Sequence, residues 1–164
     1  MATIKQYRHL ENMENLNIFY NMSFIYKPRA DKQLRSGYNR RAKLGLNGFD
    51  DFEDFLDWFN KQELVCHYCG LTEIESQEIS IKGILTSNRF PKKGTIMRGK
   101  NRAVWLEIDR YSSEKLYSRD NCVMCCYFCN NDKSDVFNGD DYIKFHQNRL
   151  VFLKGVLNQY KENK

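Results

Sequence analysis

Phe52, Phe55, Leu56 and Phe59 recur at the spacing that gives an α-helix one apolar face. Asp50 is placed to cap this helix, and acids crowd its first turns, which suits the positive end of the helix dipole. Phe49 and Trp58 fall in the same span. Because these aromatics follow one face, they are predicted to pack in a core rather than to stack on bases. Residues 30–46 predict a basic helix that stops near Gly45 and Gly48. Residues 4–26 mix aromatic and polar positions (Tyr7, Phe19, Tyr20, Phe24, Tyr26) and predict a partly helical arm. Over residues 71–100 no period holds, and Gly83, Gly94 and Gly99 punctuate the run. A long loop with one short strand near 79–81 is expected there. Residues 103–108 predict a strand, 121–126 its hairpin partner, and 111–120 the loop between them. A last helix is expected from Asn138, whose side chain can cap it with Asp140 and Asp141 nearby. Ile143, Leu150, Leu153, Leu157 and Tyr160 form its predicted buried stripe, with His146 as a partly buried core residue on the same face.

Length and charge sharpen this picture. A chain of 164 residues predicts one domain with an arm. It divides into a partly basic helical region over 1–60, a core over 61–137 and a C-terminal helix over 138–164 packed on that core. Hydrophobic residues make up 41% and mean hydropathy is −0.69, as in a soluble polar protein. No apolar stretch is long enough to cross a bilayer, and the N-terminus lacks the apolar core of a signal peptide, so a cytoplasmic protein with no membrane partner is expected. The net charge of +5 is unevenly spread. Residues 27–48 carry Lys27, Arg29, Lys32, Arg35, Arg40, Arg41 and Lys43 against Asp31 alone. Residues 82–102 carry Lys82, Arg89, Lys92, Lys93, Arg98, Lys100 and Arg102 with no acid. Two separated basic segments are what a polyanion-binding surface needs, and they point to nucleic acid.

The chemistry lies in six cysteines. Cys66-His-Tyr-Cys69-Gly forms one cluster, and Cys122-Val-Met-Cys125-Cys126-Tyr-Phe-Cys129-Asn130 the other. In a reducing compartment, paired Cys-x-x-Cys knuckles read as ligands of one structural Zn²⁺ before they read as disulfides. Of the two pairs in the second cluster, Cys126 and Cys129 are chosen to join Cys66 and Cys69. They fall at a strand-to-helix turn, whereas Cys122 and Cys125 lie within the strand and pack as small apolar groups. Such a metal would bring Asp109 and Asn130 near each other. A carboxylate beside an amide oxygen binds a hard cation, and Arg110 offers a fork matched to phosphate.

The set Cys66-x-x-Cys-Gly, Leu106-Glu-Ile-Asp-Arg110, Tyr117-x-x-x-Asn121-Cys-Val and Cys126-x-x-Cys-Asn-x-x-Lys-Ser134 resembles the HNH, or ββα-metal, endonuclease family. It is most similar to a phage and bacterial branch with Asp-Arg in place of Asp-His. The resemblance spans about Cys66 to Phe137, and residues 1–60 match it less well. It implies an α+β fold, a zinc-stapled ββα-metal core with flanking helices, in which a β-hairpin and a helix cross over one divalent ion in the DNA minor groove. It further implies that Asp109 and Asn130 hold Mg²⁺ or Mn²⁺, that Asn121 pins the loop across the hairpin, and that the products carry 5′-phosphate and 3′-hydroxyl ends. Arg110 stands where most members have the histidine that activates water. An arginine is a poor proton acceptor, so Arg110 is assigned to phosphate binding. The acceptor is left among a metal-bound hydroxide, Tyr111, Tyr117 and His67.

The expected activity is therefore metal-dependent hydrolysis of DNA, double-stranded above all, by a restriction, phage or homing nuclease, with a homodimer as the expected assembly. Arg40, Arg41, Lys43, Arg98, Lys100, Arg102 and Lys133 are the candidate nucleic-acid contacts. The alternative is a zinc-containing DNA-binding module that has lost catalysis, which the missing histidine favours.

Overall fold

The computed structural model describes residues 25–90, 101–146 and 149–163. The expectations for 4–24, and the candidate contacts Arg98 and Lys100, lie outside these residues, as does the side chain of Leu150. The elements in order are α1 (Asp31–Lys43), α2 (Phe52–Asn60), α3 (Glu73–Ile81), β1 (Glu107–Arg110), β2 (Cys122–Cys125), α4 (Tyr127–Lys133), α5 (Gly139–Phe145) and α6 (Arg149–Glu162). Among the described residues no helix is long and apolar enough to cross a membrane.

The aromatic helix forms as its periodicity predicts. Phe52, Phe55, Trp58 and Phe59 of α2 are buried, and Phe49 packs on Phe55 and Trp58 with ring centroids 5.3 and 5.6 Å apart. Each such side chain contributes about 1.5–3 kcal/mol by leaving water. Tyr38 of α1 meets Phe52 and Phe55, which joins the first two helices. Asp51, rather than Asp50, is the cap: its side chain accepts from the Asp54 N–H at 2.8 Å, while the Asp50 N–H donates to Asp54. Helix α1 ends at Leu44, and Gly45 follows at φ 69°, a left-handed turn that glycine adopts without strain. The link from α1 to α2 then lies along the hairpin loop. The Gly48 N–H donates to the Tyr117 carbonyl at 2.8 Å, and the Tyr117 N–H to the Leu46 carbonyl at 2.9 Å.

Residues 79–81 are helical, not extended. Thr72 and Glu75 close a capping box at the start of α3. The buried face of this helix is largely polar, with Glu73, Ser76, Gln77 and Ser80 all inside, so no hydrophobic period announces it. The Ser76 and Ser80 hydroxyls donate to the Ala103 carbonyl at 2.8 and 3.2 Å. Ala103 is held at φ 64°, and this turn delays the expected strand from 103 to Glu107. The two strands pair antiparallel, with Glu107 opposite Cys125, Ile108 opposite Met124, Asp109 opposite Val123 and Arg110 opposite Cys122.

The segment before α1 is strapped onto α3. Tyr26 Oη donates to Glu73 at 2.6 Å, and the Gln77 side chain bonds both the N–H and the carbonyl of Lys27. Glu73 accepts the Leu106 N–H at 2.9 Å, and Arg29 Nη1 donates to the Leu106 carbonyl at 3.1 Å, so the entry to β1 is clamped on both sides. Burial pushes the Glu73 carboxyl above its usual range, against the bonds from Tyr26 and Leu106 and the charge of Arg29. A raised carboxyl favours the fold most when protonated. Its contribution is full below the unfolded value of about 4.3 and is lost as pH rises through the folded value. In urea titrations, the stability advantage of wild type over Glu73→Gln should therefore shrink as pH rises from acid to neutral. A constant difference would show that Glu73 does not titrate abnormally.

The C-terminal segment is two helices rather than one. Asn138 caps α5 by accepting from the Asp141 N–H at 3.0 Å. The helix stops at His146, whose backbone leaves the helical region (φ −125°, ψ 37°) and whose ring turns inward. Leu153 and Leu157 of α6 are buried and Tyr160 is half-buried, but Ile143, expected in the stripe, is exposed because it belongs to the separate helix α5.

Candidate active site and metal centre

The first knuckle is a tight turn held on β2. The Cys66 N–H donates to the Leu71 carbonyl, the Gly70 N–H to the Cys66 carbonyl, and the His67 N–H to the Met124 carbonyl at 2.8 Å. Gly70 sits at φ 74° to complete the turn. In the second knuckle, Cys126 caps α4, its sulfur accepting from the Cys129 N–H at 3.4 Å. The Sγ atoms of Cys66, Cys69, Cys126 and Cys129 all lie within 4.8 Å of one another, and all four residues are buried. Cys69 and Cys126 are 3.7 Å apart, close to the edge of about 3.8 Å of a tetrahedron with Zn–S bonds of about 2.3 Å. Neighbouring thiols, Cys125 first and then Cys126 and Cys129, push Cys66 strongly down, while Cys126 is pushed up by Cys129 and Cys66. Four thiols this close share their protons unless a dication balances the charge. The cluster can thus hold a metal ion.

Cys122 and Cys125 stand outside this set on β2, and burial pushes the Cys122 thiol up to about 12. His146 Nε2 lies 3.2 Å from Cys129 Sγ, a contact that reading His146 as a core residue missed. The segment after α5 is thereby joined to the cysteine cluster.

Beside the cluster, Asp109 is only 6% exposed. Its Oδ2 accepts from Tyr68 Oη at 2.7 Å and pairs with Lys133 Nζ at 3.2 Å. Burial pushes this carboxyl up, and Tyr68 and Lys133 pull it back down. Burial, and then the charge of Asp109, push the Tyr68 phenol up. Tyr68, a spacer within the first knuckle, is a site residue that the Cys-x-x-Cys spacing does not mark. Lys133 corrects an expectation. It is 0% exposed, with its ammonium donating to the Arg110 carbonyl at 2.9 Å and facing Asp109, so it cannot lie along a nucleic-acid backbone.

The structure does not bond Asn130 to Asp109. Asn130 Nδ2 donates instead to Glu107 Oε2, and Glu107 takes both Nε and Nη2 of Arg102. Arg102 also sits 4.8 Å over the Tyr127 ring, so this candidate contact is committed within the protein. Arg110 donates from Nη1 to the Lys115 carbonyl, and its guanidinium lies 5.1 Å from the Tyr117 ring centroid. Arg41 lies 5.1 Å from that same ring and 5.0 Å from Phe55. Its Nε and Nη2 are buried without a hydrogen bond, and burial lowers its guanidinium, so Arg41, a candidate nucleic-acid contact, is half-buried among aromatic rings. Arg40 and Lys43, in the last turn of α1, are exposed.

Asn121 spans the loop. Its Oδ1 accepts the Ser112 N–H at 2.9 Å, and Nδ2 donates to the carbonyls of Ser112 and Leu116. Tyr111 Oη donates to Asp140 at 2.7 Å, which raises the phenol. Its ring covers Gly139 so closely that a Cβ there would come within 2.1 Å. Tyr111 holds its proton against Asp140, and the Tyr117 ring lies against the guanidinium groups of Arg41 and Arg110. His67 is exposed, edge-on to Tyr68 and Tyr111.

A short antiparallel hairpin, a helix that follows it directly and a four-cysteine cluster at their junction define an HNH-type fold, which the motifs of residues 66–134 had implied. No family model and no curated protein matches the chain. Among solved structures it is similar to the rare-cutting HNH restriction endonuclease PacI, with 21% identity over 84% of this chain and 87% of that one and a TM-score of 0.58.

Proposed function

We propose that this protein is a metal-dependent DNA endonuclease of the HNH type. The observation that supports it best is the buried Asp109 carboxylate at the end of β1, flanked by Arg110 and α4, in a fold shared with a DNA-perturbing restriction endonuclease. In this reading Cys66, Cys69, Cys126 and Cys129 hold one structural Zn²⁺, and Asp109 with Asn130 holds Mg²⁺ or Mn²⁺. A divalent cation, when bound, neutralises charge on the phosphate oxygens and acidifies water. Tyr68 and Lys133 both address Oδ2 of Asp109 and fix the plane of its carboxylate. Arg110 binds the phosphate and stabilises the charge that grows on it in the transition state. Asn121 keeps the loop that carries Tyr111 and Tyr117 in place. Arg40 and Lys43, with Arg98 and Lys100, grip the flanking backbone, and two copies of the chain act on the two strands of a duplex to leave 5′-phosphate and 3′-hydroxyl ends.

The test is cleavage of supercoiled and linear DNA in Mg²⁺, in Mn²⁺ and in EDTA. Cutting is expected with either metal and not with EDTA. Losing a cation worth several kcal/mol should slow Asp109→Ala by about 10³-fold or more. Unchanged cutting by that variant would remove Asp109 from the site. Salt-sensitive binding without cutting in either metal would favour the second reading, a non-catalytic DNA-binding module, for which Arg110 at the usual histidine position is the supporting observation.

A further inference from the structure

We infer that Glu107 is a positioning residue that fixes which end of the Asn130 amide faces the catalytic cation, and that Arg102 keeps Glu107 off the metal. This rests on the metal-dependent nuclease reading and adds to it a role for a motif residue to which the sequence reading gave none. Glu107 and Asp109 are two apart on β1 and so share one face of the strand. A second carboxylate there would ordinarily compete for the cation. Its oxygens are already committed: Oε1 accepts from Arg102 Nε, and Oε2 accepts from Arg102 Nη2 at 2.6 Å and from Asn130 Nδ2. Such a two-pronged arginine–carboxylate pair fixes direction as well as charge. Arg102 is anchored in turn over Tyr127, the first residue of the helix that carries Asn130.

The consequence follows from the two unlike ends of an amide. The oxygen accepts and can bind a hard cation, whereas the NH₂ group only donates. With Nδ2 turned to Glu107, Oδ1 is turned away from it and is the end left to a cation. A carboxylate at position 130 would have two equivalent ends and need no such orientation. It would, however, be repelled by Glu107.

Three variants separate orientation from packing. Mn²⁺ binding, followed by electron paramagnetic resonance on the zinc-loaded protein, should weaken by about tenfold or more in Glu107→Gln, because losing a partner that orients a ligand costs about 10–100-fold. Asn130→Asp alone should also weaken binding. The double variant Glu107→Gln/Asn130→Asp should bind Mn²⁺ better than either single one, because a carboxylate at 130 needs no orienting partner and no longer faces Glu107. In the wild-type protein with Mg²⁺, the Asn130 side-chain NH₂ should give one downfield, slowly exchanging proton in nitrogen-correlated spectra, and this reading needs no variant to fold. Unchanged affinity in Glu107→Gln, no rescue in the double variant, or a freely exchanging Asn130 NH₂ would each overturn the inference. Asp109-dependent Mn²⁺ binding and cleavage would then still support the nuclease reading. If Asp109→Ala bound Mn²⁺ as wild type does, the site reading and this inference would fall together.

Discussion

Replacing Lys133 by methionine is expected to destabilise the protein by about 3–5 kcal/mol, the cost of leaving one member of a buried ion pair without its partner. Lys133 is fully enclosed, and its ammonium touches only what the hairpin end presents among its described contacts, the Arg110 carbonyl at 2.9 Å and Asp109 Oδ2 at 3.2 Å. Methionine keeps the aliphatic stem and nearly the same volume, so packing changes little. What changes is the charge balance at Asp109, whose carboxyl burial already pushes up and Lys133 helps to hold down. Urea unfolding of the metal-loaded protein reads the loss. An exposed lysine pair would cost only about 0–1 kcal/mol, so the two cases are well separated. Adding Asp109→Asn to Lys133→Met removes the orphaned charge and should recover much of the loss, which gives the cycle a sign as well as a size. A loss below about 1 kcal/mol for Lys133→Met would mean that water reaches the pair.

This lysine also shows where reading the sequence ends. Composition treats a lysine in a polar stretch as solvated, and nothing within four residues of Lys133 reveals that Asp109, distant in sequence, closes over it. The four cysteines were legible because metal ligands must converge and short spacing forces each pair to do so. Their sulfurs do come together, with Cys122 and Cys125 left outside. The aromatic helix was legible from its period. Helix α3 was not, because its buried face carries serines, a glutamine and a glutamate that satisfy backbone groups of the turn before β1 and the strap before α1. Periodicity reports burial of apolar groups and is silent on buried polar ones. The break after α5 was hidden for a similar reason: His146 turns inward to a sulfur. Around Asp109 the motif named residues without their pairing. The alternation of Leu106-Glu-Ile-Asp-Arg110 puts Glu107 on the face of Asp109, yet only the folded chain shows Asn130 bonded to the first rather than the second.

Stripping the metal from the cysteine cluster is expected to unfold the hairpin core cooperatively. A two-stranded hairpin is at best marginal alone, and here each strand is four residues long. The first knuckle rests on β2 through the His67 N–H, the second opens α4, and the His146 ring brings the end of α5 to Cys129, so the cluster is where three parts of the chain meet. Binding of a structural zinc is worth about 10–16 kcal/mol in small peptides, which matches or exceeds the whole stability of about 5–15 kcal/mol typical of a domain. The aromatic packing of α1 and α2 belongs to the same buried cluster as the cysteines and offers no separate core on which the remainder could stand. Titration with a strong chelator should therefore release one zinc per chain together with the loss of near- and far-ultraviolet circular dichroism. Cys126→Ala should reproduce that loss without chelator. Cys122→Ala should leave metal content unchanged and lower stability by no more than about 1–3 kcal/mol, the scale of a small side chain removed from a packed strand. If Cys122→Ala lost the metal, or if the chelated protein kept its near-ultraviolet signal, the ligand set or the metal's structural role would be wrong, and the hairpin would have to be held by the aromatic core alone.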